Sequence, residues 1–157
     1  MCRYAYKNYK THFVCFACRK QFKKASLDDW AAQHGDEHLL KGLYELHREP
    51  EASRKRWGTT LKELTERYVE ELGGCPECRG RMARMGLDFR PPKRTDTEAW
   101  WILEQLYEHG YAFTGCGCSV GYAPPARRAD VPAFLAASGR SSEGERLLAS
   151  IAARSSG

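Results

Sequence analysis

Two short stretches decide the fold, THFVCFACRKQF at residues 11–22 and CPECRGR at residues 75–81. Each contains two cysteines with two residues between them. A CxxC turn presents two sulfurs to one ion because its backbone folds into a tight loop whose amides point at the sulfurs. Two such turns supply the four thiolates of a tetrahedral zinc site, with Zn–S distances of about 2.3 Å. The spacing therefore predicts one structural Zn²⁺ bound by four cysteines, Cys15, Cys18, Cys75 and Cys78.

The separation between the two turns is the unusual feature of this pattern. Between Cys18 and Cys75 lie 56 residues, whereas about 15–20 residues separate the halves of a common paired-CxxC zinc site. Lengthening a loop costs little, since each doubling adds only about 0.6 kcal/mol. Binding of a structural zinc contributes on the order of 10–16 kcal/mol. The sequence therefore predicts that residues 25–74 are an insertion that leaves the metal-binding part of the chain and returns to it.

Apolar periodicity, capping residues and turn residues predict an α+β chain. The first part of the chain is predicted to contain strands at 11–14 and 21–23 and two helices, one from Ser26 to about His47 with a break at Gly35 and one from Thr59 or Thr60 to Leu72. An extended run at 82–89 and a helix from Thr95 to Gly110 follow. The last part is predicted to contain a strand at 111–114, a loop at 115–125 and helices at 131–137 and 143–154. The predicted fold is a small zinc ribbon of two β-hairpin knuckles with a helical-hairpin insertion and a helical C-terminal region. Residues 1–24 and 75–94 together are predicted to form the zinc ribbon, and residues 25–74 the helical insertion. Residues 95–157 are predicted to form a C-terminal region that packs on the ribbon.

Length and composition exclude some classes of protein. The 157 residues contain no apolar run near the ~20 residues that a membrane span needs. The N-terminal residues lack the apolar core of a signal peptide. We therefore expect a soluble, cytoplasmic protein, in which cysteines are kept for metal binding or chemistry rather than for disulfides.

The net charge of +5 is unevenly distributed along the chain. Residues 1–24 carry +7 and residues 75–94 carry +4, whereas residues 25–74 carry −4 and residues 95–157 carry −2. The positive charge therefore lies on the two segments that hold the CxxC turns. These segments must be neighbours if their cysteines share an ion, and a basic surface of this kind is typical of a polyanion-binding protein.

Two patterns suggest enzymes, and their sequence context argues against both. The CPEC turn at residues 75–78 has the spacing of a redox dithiol, but such a dithiol begins a helix in a βαβ unit, and an extended run follows here. HGDEH at residues 34–38 matches the HxxEH pattern of zinc hydrolases, but Gly35 interrupts it and no third ligand is identifiable. A solvated helix face is the favoured interpretation of the histidines, and no catalytic residue is predicted.

The three remaining cysteines are not assigned by spacing. Cys116 and Cys118 can bind a second ion together with Cys2 or with a histidine such as His12 or His109. They can equally be ordinary loop thiols, which we favour because no fourth ligand can be named.

The cysteine turns and their flanks resemble the zinc-ribbon superfamily. HFVCFACRKQFK at residues 12–23 and CPEC followed by MGLDFRPPK at residues 85–93 resemble uncharacterised bacterial zinc-ribbon proteins. The resemblance covers about residues 1–24 and 75–101, and it implies a structural zinc and binding to nucleic acid or to the ribosomal or transcription machinery. Where a glycine often follows the second cysteine of such a turn, this chain has Arg19 and Arg79.

These observations predict a non-enzymatic nucleic-acid-binding protein, with RNA or a ribonucleoprotein such as the ribosome favoured. The predicted phosphate-binding residues are Arg19, Lys20, Lys23, Lys24, Arg79, Arg81 and Arg84. Neighbouring aromatic residues either stack on unpaired bases or pack a small core: Tyr4, Tyr6, Tyr9, Phe13, Phe16 and Phe22. RNA is favoured over duplex DNA because the predicted helices lie in acidic segments.

The alternative is a protein-interaction adaptor, in which zinc only stabilises the fold and the acidic insertion binds a basic protein partner. A thiol-redox or metallohydrolase enzyme ranks third.

Overall fold

A computed structural model describes residues 9–114, 122–139 and 141–155. These residues form an α+β fold, as predicted. The strands are β1 (Thr11–Cys15), β2 (Lys20–Lys24) and β3 (Ala83–Met85), and the helices are α1 (Leu27–His34), α2 (Glu37–Glu45), α3 (Pro50–Trp57), α4 (Leu61–Leu72), α5 (Thr97–Glu108), α6 (Val131–Ser138) and α7 (Glu143–Ser155). A short 3-10 helix, Arg128–Asp130, precedes α6. The chain divides into two compact units, an N-terminal unit that ends at Arg84 and a C-terminal unit that begins at Met85.

The three strands form one small sheet in the order β2-β1-β3. β1 and β2 pair antiparallel, with Phe13 opposite Phe22 and Cys15 opposite Lys20, which confirms the predicted hairpin around the first CxxC turn. The second turn is not flanked by a regular hairpin, because Gly74 and Arg81 form only one isolated antiparallel bridge. Of the two predicted β-hairpins, the described residues therefore contain the first one only.

Residues 25–74 form four helices where the sequence predicts a helical hairpin; the predicted break at Gly35 and the helix that ends at Leu72 are confirmed, and α3 was not predicted. The first predicted helix ends at Gly35, which adopts the left-handed conformation with φ 74°, and α2 starts again two residues later. The charged stretch before Gly58 is helical as well. Pro50 lies in its first turn, where the missing N–H of proline costs nothing, and Gly58 ends it with φ 72°.

The start of α4 is fixed by a reciprocal capping box. The Glu63 N–H donates to Thr60 Oγ1 at 3.2 Å, and the Thr60 N–H donates to Glu63 Oε2 at 2.9 Å. Two of the N–H groups that a helix start leaves unpaired are thereby satisfied. The hydrogen bond from the Thr60 N–H holds the pKa of Glu63 below its usual value.

The core of the N-terminal unit joins strands and insertion helices. Trp30 of α1 and Tyr68 of α4 are fully buried, with ring centroids 5.6 Å apart, and Phe13 of β1 lies 6.0 Å from Tyr68. The Tyr68 hydroxyl donates to the Ala25 carbonyl at 2.7 Å. The same apolar cluster contains Cys15, Leu27, Ala31, Leu40, Leu43, Leu64, Cys75 and Met82. The predicted division into a ribbon and a separate insertion stays a prediction, but the described helices of residues 25–74 share one core with the cysteine turns.

Trp57 packs directly on the backbone of α2 at Gly42. A Cβ atom at Gly42 would lie 2.2 Å from a ring carbon of Trp57. His38 lies against the indole at 5.3 Å, and the Arg56 guanidinium also lies 5.3 Å from that ring. The indole therefore has neighbours that oppose its displacement.

We expect Gly42→Ala to destabilise the N-terminal unit by about 1–3 kcal/mol, since overpacking a filled site forces side chains and backbone to shift. Urea unfolding of the metal-loaded protein measures this change. Lys41→Ala, at the exposed neighbouring position of α2, is the matched control and should unfold close to the parent. Equal unfolding midpoints for Gly42→Ala and the parent protein would contradict this packing.

The C-terminal unit is built on α5. Its N-cap is Asp96, whose carboxylate accepts the Ala99 N–H at 3.0 Å, rather than the predicted Thr95. Ile102 and Leu106 are buried in a cluster with Tyr111 and Val131. The end of the unit agrees with the sequence, since α6 and α7 coincide closely with the predicted helices at 131–137 and 143–154.

Residues 111–114 are not a strand, contrary to the prediction. Tyr111 is buried, but Phe113 has φ 55°, a left-handed conformation that interrupts an extended chain. Gly86 approaches this segment closely, and its N–H donates to the Ala112 carbonyl at 2.6 Å. A Cβ atom at Gly86 would lie 1.9 Å from the Phe113 carbonyl oxygen. The apolar side chains of this segment therefore fill a core without forming a sheet.

Candidate metal centre

The four cysteines of the two CxxC turns converge at one point of the N-terminal unit. Their Sγ atoms all lie within 4.8 Å of one another. The Sγ atoms of Cys15 and Cys78 are 3.5 Å apart, and those of Cys18 and Cys75 are 3.9 Å apart. Sulfurs placed tetrahedrally at about 2.3 Å from an ion are about 3.8 Å apart. All four cysteines are free thiols, so the set fits one tetrahedral metal ion.

The centre is closed on one side and accessible on the other. Cys15 at the end of β1 and Cys75 after α4 are each 2% exposed. Cys18 is half-buried and Cys78 is exposed. The first cysteine of each turn is thus anchored in the apolar core, and the second lies toward the surface.

Backbone N–H groups point at the first sulfur of each turn. The Cys18 N–H lies 3.4 Å from Cys15 Sγ, and the N–H groups of Cys78 and Glu77 act on the Cys75 sulfur in the same way. Such bonds favour the thiolate, the form that binds metal.

These contacts spread the pKa values of the four thiols. The Cys78 N–H lowers the pKa of Cys75 to about 7. The hydrogen bond with the Cys78 side chain raises the pKa of Cys18 to about 12, and burial raises the pKa of Cys15. A thiol with a raised pKa must lose its proton before it binds a metal ion. Metal binding consequently weakens as the pH falls.

The two turns place an arginine in the same unusual backbone conformation. Arg19 has φ 51° and Arg79 has φ 60°, and each follows the second cysteine of its turn. The Arg19 N–H donates to the Phe16 carbonyl at 3.2 Å, and the Arg79 N–H donates to the Cys75 carbonyl at 2.9 Å. Left-handed backbone is the conformation that glycine adopts without steric cost. The turns therefore keep a glycine-like geometry with arginine at that position.

The seven predicted basic residues all belong to the unit that holds the cysteines, but they differ in environment. Lys20 Nζ pairs with the Glu77 carboxylate, which joins the two turns. The Arg84 guanidinium lies 5.6 Å from the Tyr68 ring. Lys23 and Lys24 lie on the edge strand β2, where lysines also discourage pairing with other chains.

Arg79 and Arg81 are exposed and line a concavity of about 300 Å³ beside the second turn. Its other lining residues are Val69, Glu70, Gly73 and Gly74. Two cationic side chains and one acidic side chain therefore border the same depression next to the metal centre.

The predicted aromatic residues divide between core and surface. Phe13 is fully buried and Phe22 packs against the core, so both stabilise the fold. Tyr9 and Phe16 are half-buried. Tyr4 and Tyr6 lie outside the described residues.

The histidines of the HxxEH pattern do not share a face. His34 ends α1 and its Nδ1 lies 2.8 Å from the Trp30 carbonyl oxygen, whereas His38 lies in α2 against Trp57. Gly35 turns the chain between them. Among residues 9–114, 122–139 and 141–155, the cysteine cluster is the one group that fits a metal ion.

The candidate ligands of a second ion lie partly inside and partly outside the described residues. Cys2, Cys116 and Cys118 lie outside the described residues. His12 is buried on β1, and His109 pairs with Glu145 at 3.4 Å. No helix of the described chain begins at the CPEC turn, which removes the helix N-terminus that a redox dithiol uses.

No helix in the described part of the chain has the length and apolar character needed to cross a membrane.

Comparison of the chain with protein-family models, with curated proteins and with solved structures finds no match. The residues of the site itself are therefore the basis for its chemistry.

Proposed function

We propose that this chain is a non-enzymatic RNA-binding protein in which one structural Zn²⁺ holds two basic turns together. The observation that carries the proposal is the convergence of the four cysteine sulfurs within 4.8 Å. This convergence joins the two turns within the N-terminal unit, and the predicted basic residues Arg19, Lys20, Lys23, Lys24, Arg79, Arg81 and Arg84 all belong to that unit. A polyanion that binds beside the centre meets charge from both turns.

Zinc suits this donor set. Four thiolates in a tetrahedron complete the coordination of Zn²⁺ and leave no position for water or substrate, which is the arrangement of structural sites. These features support a structural rather than a catalytic ion.

RNA fits the distribution of basic side chains better than duplex DNA. The residues beside the centre project from tight turns and from the short strand β2, and a major groove is usually read by a helix. Among the described helices α3 is the strongly basic one, and its Arg54 pairs with Glu63 at 2.9 Å. Single strands and loops can instead follow an irregular basic surface and stack bases on aromatic side chains such as Phe16.

Fluorescent single-stranded RNA, hairpin RNA and duplex DNA titrated at two salt concentrations test this function. Binding should weaken as salt rises, with a log–log slope of about −0.7 per phosphate neutralised on a single strand. Arg79→Glu with Arg81→Glu should weaken binding to every RNA sequence without releasing zinc, because neither residue is a ligand. This pair is preferred to Lys20→Glu, because that substitution would place a second carboxylate beside the Glu77 carboxylate.

The matched control makes the same charge change in the insertion helices. Lys41→Glu with Lys55→Glu alters two exposed lysines and should reduce affinity much less. Absence of RNA binding at low salt, or equal binding by both double variants, would contradict the proposal. Either result would favour the adaptor alternative, in which the acidic insertion binds a basic protein.

A further inference from the structure

The depression beside the second turn is bordered by three exposed charged side chains. Glu70 of α4 lines it together with Arg79 and Arg81, and its volume is about 300 Å³. Within the described part of the chain, these three side chains form no ion pair or hydrogen bond. Sites for small ligands usually have volumes of about 300–1,000 Å³. The depression therefore has room for one small group, and charges of both signs border it.

The fold holds the backbone at this depression in place. The Met82 N–H donates to the Gly73 carbonyl at 2.7 Å, and the residue before it, Arg81, forms an antiparallel bridge with Gly74. Side chains at opposite positions of such a bridge lie on the same face. The side chain of Arg81 therefore begins beside the position where Gly74 has none.

Gly74 leaves this space open although the fold does not require a glycine there. A Cβ atom at the preceding Gly73 would lie 2.3 Å from the Val69 carbonyl oxygen, whereas a Cβ atom at Gly74 would meet no atom within 4 Å. Gly74 is also not among the glycines with positive φ. Neither packing nor backbone conformation therefore explains the missing side chain, and its consequence is an open floor beside Arg81.

Two guanidinium groups and one carboxylate together fit a ligand that has both acceptors and donors. A phosphate alone would satisfy the arginines, but the carboxylate of Glu70 would repel it. Guanine presents the acceptors O6 and N7 on one edge, which arginine binds with two N–H bonds. Its Watson–Crick edge carries N–H donors at N1 and N2, which a carboxylate can accept. No other base of RNA combines two adjacent donor atoms with two such acceptors, and unpaired bases are read at these edges.

We propose that this depression binds one guanine nucleotide of an RNA strand. Glu70 accepts the N1 and N2 donors, one of the two arginines binds the O6 and N7 edge, and the other binds a phosphate group. This inference rests on the proposed RNA-binding function and names a base that the protein reads. In the competing role, Glu70 is a solvated surface residue that only weakens the field of the arginines.

The deciding variant is Glu70→Gln, because the two roles predict changes of opposite sign. Removal of a surface acid beside two arginines should tighten the binding of every strand. If Glu70 holds guanine, the metal-loaded variant should bind a uridine strand with one guanosine more weakly, by roughly fivefold or more, and an all-uridine strand equally or more tightly. Fluorescence anisotropy titrations at one salt concentration measure both. Glu45→Gln, at an exposed position of α2, is the matched control and should keep the parent preference for guanosine.

Changes in the base test each of its edges separately. Inosine lacks the 2-amino group, so inosine in place of guanosine should weaken binding by the parent protein and have much less effect with Glu70→Gln. 7-Deazaguanosine lacks the N7 acceptor of the arginine edge and should weaken binding by both proteins. Gly74→Leu places a side chain beside Arg81 and should remove the guanosine preference, while the zinc content by elemental analysis stays at the parent value.

The outcomes separate this inference from the proposed function. If the parent protein binds the guanosine and all-uridine strands equally, the guanine site is wrong and RNA binding depends on other contacts. If Glu70→Gln binds every strand more tightly, Glu70 is a surface charge and the inference is overturned. If guanosine monophosphate binds as tightly as the strand, the site takes a free nucleotide and its assignment to RNA is overturned. If the parent protein binds no RNA at low salt, the proposed function fails and the inference fails with it.

Discussion

Replacing Cys75 with serine is expected to abolish metal retention and to unfold the N-terminal unit. Cys75 is 2% exposed and belongs to the apolar core, so its loss removes a ligand and places a hydroxyl in a buried position. Structural zinc contributes on the order of 10–16 kcal/mol, which equals or exceeds the whole stability of a typical domain of about 5–15 kcal/mol. Elemental analysis and near-ultraviolet circular dichroism measure both effects.

The control for this substitution is Glu77→Gln. It lies within the same turn and removes the ion pair with Lys20, but it leaves all four ligands in place, so it should retain the metal. One zinc per parent chain is expected. Two ions would mean that Cys116 and Cys118 bind a second one, and a native disulfide between Cys15 and Cys18 would contradict the site.

Replacing residues 25–74 with a short Gly/Ser loop is expected to destroy metal binding as well. The sequence alone predicts the opposite, because an insertion between two turns can be removed with little change in loop-closure entropy. The described helices of this segment, however, supply most of the core around Cys15 and Cys75. Without them the two turns have no apolar surface on which to meet, and zinc content after gel filtration should fall far below one ion per chain.

Substitutions at Tyr68 give this prediction a graded control. Tyr68→Ala should cost about 3–5 kcal/mol, the usual range for removing a large buried ring, whereas Tyr68→Phe should cost about 1–3 kcal/mol because it leaves the Ala25 carbonyl without its donor. Urea unfolding in the presence of zinc measures both. Full zinc binding by the loop variant, with no effect of Tyr68→Ala, would show that the insertion is a separate domain.

Local capping signals predicted helix starts well where the side-chain chemistry was specific. Ser26 accepts the Asp29 N–H at 3.0 Å, as the sequence predicts, and of the two predicted caps Thr59 and Thr60 it is Thr60 that accepts the Glu63 N–H. Gly35 ends α1 in the left-handed conformation. These features depend on residues within four positions of one another, so they can be recognised without knowledge of the tertiary structure.

The misassigned segments were those in which tertiary contacts decide the structure. α3 carries three consecutive basic residues, Arg54 to Arg56, and resembles a linker, yet Trp57 at its end packs on α2 through Gly42. Residues 111–114 have the composition of a strand, but no strand of the described residues pairs with them, and Phe113 adopts a positive φ. Propensity is a weak guide where packing provides the larger energy.

Prediction of the candidate site from the sequence was limited in the same way, to features that a local pattern reveals. Spacing alone identified the four cysteines, which the structure brings within 4.8 Å of one another. The ion pair of Lys20 with Glu77 joins residues 57 positions apart, so no local pattern could reveal it. The arginines that replace the common glycine after the second cysteine gave no prediction of their conformation, and the structure shows that Arg19 and Arg79 nevertheless have positive φ.

The long interval between the two cysteine turns also sets the timing of assembly during synthesis. A ribosome adds about 5–20 residues per second, so the 56 residues between Cys18 and Cys75 take roughly 3–11 seconds to emerge. The thiols of Cys15 and Cys18 are therefore synthesised seconds before those of Cys75 and Cys78. A site with four cysteine ligands can be completed only after α4 and the second turn have been synthesised.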